Sequence, residues 1–328
     1  MPTERLAIAI EDHALERVPD AVRKDWLKIT WNTAGLVTTL VMLFFGALVC
    51  FVAGVKIALY AGVTAFAIGN LIGWAIARVT YVTGHSNTLI TRKYGLGTQG
   101  SALASVIFGL LIIGFLALEN ALLYRGFLFF FEIDDTLFYR LLIYGGLTVG
   151  WVLLTAFGFN LVTRFSSIMV ISFVLVIIWV MIDIIAASGR SISDALFFTS
   201  QLPGDALQRM GISSDLDKYF FGVNILVGPA CALALNTADF GRYGKSTAHI
   251  GAAVTIGIFF QSLVTMLIGG VLMYAGASAM VDFYVAQEGI TVTEAHQRVL
   301  QSPDSIAATF MVFAGAIGFI LMIIAQGK

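Results

Sequence analysis

Eight stretches of the chain, at 33–54, 57–80, 101–124, 137–159, 165–187, 220–238, 248–275 and 306–328, each run for 19 residues or more with at most one formal charge. Hydrocarbon about 30 Å thick is crossed by about 20 apolar residues at helical rise, and a helix satisfies its own backbone groups there. Such a chain is expected to be an all-α multi-span membrane protein. Its charge content agrees, since 12% of the residues are charged and 59% hydrophobic, whereas a soluble domain covers itself with about a quarter charged residues.

The remaining composition excludes several function classes. A net charge of −1, with basic residues scattered through loops, offers no surface for nucleic acid. Cys50 and Cys231 both sit in apolar runs and suggest neither a disulfide framework nor a thiolate metal site. The four histidines are far apart, and neither HExxH nor GxSxG occurs. No enzyme, resident cofactor or bound metal is therefore expected. The glycine-rich YGLGTQGS at 94–101 lacks a phosphate-loop lysine and reads as a tight connection.

The N-terminal 32 residues mix acidic and basic groups with no cleavable apolar core, so they read as a tail outside the bilayer. With that tail inside, Arg5, Arg17, Arg23, Lys24, Lys28, Arg78, Arg92, Lys93, Arg164, Arg242 and Lys245 fall in inner segments. Basic residues are retained on the cytoplasmic side, which predicts a cytoplasmic N-terminus in the inner membrane. Two long outer connections are expected, at 188–219 and 276–305, the second with a short interfacial helix.

Charged and helix-breaking residues inside the runs mark the candidate chemistry. Glu119 lies in LLIIGFLALENALLYR, at 110–125. A carboxylate in hydrocarbon costs roughly 2.5 kcal/mol or more unless it is paired, protonated or hydrated. It lies about 27 Å from Ser101 at helical rise, so it either reaches interfacial water near Arg125 or faces a cavity. Asp183 reads as interfacial, and Asn70 and Asn236 as interhelical hydrogen-bonding residues. Gly228-Pro229, near the middle of the sixth run, predicts a kink or break there. Broken helices at the midplane are how many secondary transporters build their sites, whereas a simple packing kink is the other reading.

Three stretches resemble the nucleobase:cation symporter-1 family, particularly its cytosine-permease-like bacterial branch. They are ERVPDAVRKDWLKITWNTAGLVTTLVMLFFGALV at 16–49, GHSNTLITRKYGLGTQGSAL at 84–103 and NTADFGRYGKS at 236–246. The resemblance covers nearly the whole chain. It implies a LeuT-type inverted-repeat transporter fold, with a first repeat of five spans at 33–187 and a partial second repeat at 220–328. It also implies that the chain stops inside the eighth span.

The family's third helix carries a Trp that stacks on a heterocycle and an amide that hydrogen-bonds its edge. GFLALE aligns with that motif, so Gly114, Phe115 and Glu119 are implied substrate-binding residues, with Phe115 in place of the Trp and Glu119 in place of the amide. Four residues apart on a helix, Phe115 and Glu119 share a face. Backbone groups at the breaks near Leu40, Leu43, Gly228, Pro229 and Ala230 complete the implied site. Ala230 replaces an aromatic residue often found in the sixth helix. Ala325-Gln326-Gly327-Lys328 resembles the sodium-coupled eighth-helix motif, with Lys328 where a hydroxyl ligand belongs. That implies ion coupling through Ala325, Lys328 and Glu119, by proton or sodium.

The expected function is secondary active import of a nucleobase or related small nitrogen heterocycle, such as cytosine or a purine, by alternating access in the lipid bilayer. A cationic amine or amino-acid-like substrate on the same fold, or a non-transporting receptor or scaffold, are the alternatives.

Overall fold

The computed structural model describes His13 and residues 16–295 except 132, 157, 158, 190 and 203. The run at 306–328, with Ala325 and Lys328, lies outside the described residues. Within them there is no strand, and the helices are α1 (Trp26–Val37), α2 (Leu40–Ala53), α3 (Val55–Thr83), α4 (Asn87–Tyr94), α5 (Gly97–Phe131), α6 (Leu137–Ala156), α7 (Phe159–Ser188), α8 (Ile192–Phe197), α9 (Gly204–Arg209), α10 (Asp215–Gly241), α11 (Thr247–Val254) and α12 (Gln261–Glu288). A π-helical turn, Thr255–Phe260, joins the last two.

Among the described residues four helices are long and apolar enough to cross a membrane, and a bent pair makes a fifth. Two shorter apolar stretches, Leu137–Leu153 and Val170–Ala186, fall on the runs expected as the fourth and fifth spans. The first run begins earlier than its apolar composition suggests, at Trp26, and divides into α1 and α2 with a bend of 62°. The seventh run is longer than expected. It continues past Gly276 to Glu288 and ends at Gly289, whose φ is 64°. A single glycine costs a helix about 1 kcal/mol, too little to stop one that is otherwise well formed.

The core is built on close backbone approach. A Cβ on Gly69 of α3 would lie 2.8 Å from the Ala230 carbonyl oxygen of α10, and one on Gly241 of α10 would lie 2.6 Å from that of Ala77. Thr237 adds a hydrogen bond of 2.8 Å to the Gly73 carbonyl. Membrane helices associate through such small residues because lipid supplies little hydrophobic drive between them. The α2–α12 contact follows the same logic, with Gly46 against the Met266 backbone and Gly269 against that of Leu43. In contrast, α5 exposes Leu103, Val106, Ile107 and Leu110, a face suited to lipid.

The tail packs against two elements at one end of the bundle. Val18 N–H donates to the Gly84 carbonyl at 2.9 Å, and Lys24 N–H to that of Tyr243 at 2.6 Å. Arg23 reaches the carbonyls of Gly244 and Tyr81, and Lys245 pairs with Asp25 at 2.8 Å. The end of α3 and the α10–α11 turn are thereby held together.

Candidate functional site

The α1–α2 bend frees backbone groups that a continuous helix would pair internally. Thr38 at the end of α1 holds its hydroxyl to the Ala34 carbonyl at 2.7 Å and accepts 3.0 Å from Gln261 of α12. On the other side, the Thr39 side chain accepts from Met42 N–H at 3.3 Å as the N-cap of α2. The next open amide, Val41 N–H, donates to Glu119 Oε1 at 3.1 Å. A carboxylate at a helix N-terminus is stabilised both by the hydrogen bond and by the helix dipole.

This contact explains the charge inside the apolar run. α5 starts at Gly97 and continues to Phe131, so Glu119 lies about 18 Å short of its end at helical rise rather than beside it. The residue is half-buried and faces the bend, not the interface.

Around the bend lies a cavity of about 210 Å³, walled by α1, α2, α5 and α10. Phe115 and Glu119 enter it from α5, Phe45 and Met42 from α2, and Pro229 and Asn236 from α10. Glu119 is the one charged residue among those lining it. Pockets for drug-sized ligands measure about 300–1,000 Å³, so this space suits a smaller molecule. The lining is mainly apolar, with Thr39, Glu119 and Asn236 as the polar side chains.

The structure gathers Phe115, Glu119 and Pro229 at this cavity, whereas Leu40, Leu43, Gly114, Gly228 and Ala230 are not on its lining. Leu40 and Leu43 are buried in a core with Phe173 and Ile177. They follow the bend, but neither lines the cavity. Gly114 is exposed and faces open space, rotated about 100° from its neighbour Phe115 on α5. Gly228 also faces open space. Ala230 is fully buried against Gly69, where a large ring would collide with α3. The expected break at Gly228-Pro229 is absent, because α10 runs through it as one helix with Pro229 inside.

Phe45 and Asn236 are among the lining residues that the resemblance does not imply. Phe45 puts an aromatic ring into the cavity from α2, in a part of the sequence where every neighbour is apolar and none stands out. Asn236, expected to bridge helices, instead donates its amide to the Ala232 carbonyl of its own helix at 3.0 Å and lines the cavity. Asn70 does bridge helices, donating to Thr255 at 3.4 Å. Asp183 is exposed, five residues before the end of α7.

No protein-family model and no curated protein matches the sequence. The fold matches the solved structure of Mhp1, a nucleobase-cation-symport-1 family transporter, in a closed conformation with bromovinylhydantoin bound. The TM-score is 0.63 at 10% sequence identity, over 97% of this chain and 70% of that one. The chain has the LeuT-type inverted-repeat fold. At that identity the likeness concerns the path of the backbone. The residues of the cavity are this chain's own.

Proposed function

We propose that the chain is a secondary transporter that imports a nucleobase or related small nitrogen heterocycle across the cytoplasmic membrane by alternating access. The observation that carries this reading is the small cavity at the α1–α2 bend, apolar but for Thr39, Glu119 and Asn236. A planar heterocycle needs an aromatic face and an acceptor for its N–H groups. Phe115 or Phe45 supplies the first and Glu119 the second, with Asn236 able to donate or accept at another edge. The fold shared with a transporter solved with a hydantoin derivative, itself a small nitrogen heterocycle, supports the same ligand class.

The cytoplasmic position of the N-terminus rests on its basic residues, and coupling to a proton or sodium rests on Glu119, Ala325 and Lys328 as proposed ion-coupling residues. A second reading has one specific support. A single carboxylate in an apolar cavity also suits a cationic amine.

Uptake into proteoliposomes separates these readings. Labelled cytosine, a purine and a small primary amine are offered in turn, with and without sodium and across a pH gradient. Heterocycle accumulation abolished in Glu119→Gln at every pH supports direct recognition by the carboxylate, and retained uptake without pH dependence supports proton coupling. Amine uptake with no heterocycle uptake overturns the nucleobase reading. Saturable binding without flux overturns transport altogether.

A further inference from the structure

A second cavity, of about 400 Å³, lies at the junction of α4 and α5, formed by other residues than those around Glu119. His85, Arg92 and Lys93 line it, together with Tyr94, Gly97 and Thr98, and no acidic side chain does. The chemistry is therefore cationic on one wall. Arg92 and Lys93 occupy the last turn of α4, whose sequence NTLITRKY is too short and polar to be a span. Gly97, with a φ of 65°, turns the chain into α5, so the first amides of that long helix also border the cavity. Those amides lack intrahelical acceptors and add positive potential to that of the two side chains.

The surroundings of this cavity are apolar and open to lipid. Leu103, Val106 and Ile107 of α5, six to ten residues beyond Gly97, are at least 60% exposed. On the other side, Val79 and Val82 near the end of α3 are also exposed. The basic cavity thus stands where two helices with exposed apolar side chains reach the end of their apolar stretch, which in a bilayer corresponds to the level of the phospholipid phosphates. Leu89 and Ile90 give it an apolar floor.

We infer that this cavity binds a phosphate-bearing anion through Arg92 and Lys93, with the headgroup of an acidic phospholipid as the source favoured by the flanking apolar helices. Arg92 presents a planar fork for two phosphate oxygens, and Lys93 a point charge. The acyl chains of such a lipid would follow the exposed face of α5. The reading is independent of what the Glu119 cavity carries.

The test uses the delipidated full chain. Retention of dioleoylphosphatidylglycerol and of dioleoylphosphatidylcholine is compared by native mass spectrometry, for the protein and for the R92Q/K93Q double variant. Inorganic phosphate is titrated separately in phosphatidylcholine nanodiscs. Selective retention of phosphatidylglycerol, weakened about 30-fold in the double variant at low salt, supports the site. Equal weakening of phosphate binding with no lipid preference keeps the anion site and overturns its lipid source. If the variant binds both probes as the unaltered protein does, the site is overturned. Both side chains are exposed, so the variant is expected to fold, which its unchanged elution and circular dichroism would confirm.

Discussion

Two helices of this protein carry a disruption inside the membrane, and they resolve it in opposite ways. The stretch TAGLVTTLVML holds neither proline nor an adjacent charge, yet the chain bends by 62° between α1 and α2. α10 contains Gly228-Pro229 and remains one helix. The difference lies in the partners. At the bend, Thr39, Glu119 and Gln261 are in place to satisfy or hold the groups that a break releases. Around Pro229 the flanking turns are clamped to α3 by Ala230 against Gly69 and by Thr237 on Gly73, so a break would open a tight seam. A proline removes one hydrogen bond, whereas a break leaves several backbone groups to be satisfied.

The largest expected effect comes from removing the partner at the bend. Glu119→Ala leaves Val41 N–H without its acceptor and the cavity without its charge. Uptake is expected to fall to background, with a stability loss of about 1–3 kcal/mol. Glu119→Gln keeps an acceptor and is expected to retain most of the stability. Thermal unfolding in detergent beside the uptake assay reads both, and equal stability of the two variants would break the assignment of Glu119 as a cap.

Two glycines test the seam next. Gly69→Ala forces a Cβ against the Ala230 backbone and is expected to destabilise by about 1–3 kcal/mol. Gly228→Ala meets nothing within 4 Å and is expected to stabilise α10 by about 0.5–1 kcal/mol. The same sign for both would mean that close approach does not hold α10 together.

Smaller still, Thr39→Ala removes the N-cap of α2 and is expected to cost about 1 kcal/mol. Pro229→Ala restores a helix donor without disturbing the bend, so its melting temperature is expected to match or exceed that of the unaltered protein. A large loss in Pro229→Ala would show that the proline shapes α10 after all.

The smallest effect lies outside the membrane and depends on pH. Lys245, hydrogen-bonded to Asp25, holds that carboxyl below its ordinary value. The pair therefore contributes fully above the ordinary aspartate pKa of about 3.9 and loses its contribution as pH falls through the depressed value. The difference in melting temperature between the protein and Lys245→Ala is expected to be small at neutral pH and to vanish on acidification. A difference that grows in acid would reverse the sign and remove the pair from the account.

Much of the architecture was legible because its signals are local. A run without charge can be recognised from its own residues, and Phe115 and Glu119 share a face by helical spacing alone. The cavity was less legible, since its wall depends on which helices meet. Leu40, Leu43, Gly114, Gly228 and Ala230 are close in sequence to lining residues and are not on the lining themselves. Phe45 stands in the wall with no signal to distinguish it from Phe44 beside it.

The sequence by itself determined a membrane-spanning helical chain and singled out the carboxylate that needed compensation, because hydrocarbon penalises open backbone and charge wherever they occur. Tertiary structure alone decided how that compensation is made. The N-terminus of α2, 78 residues away in sequence, meets Glu119 because the fold brings the α1–α2 bend and α5 together. Local residues can state that a charge or a proline is costly; whether it caps a helix, bends one or stays within one depends on the neighbours that packing supplies.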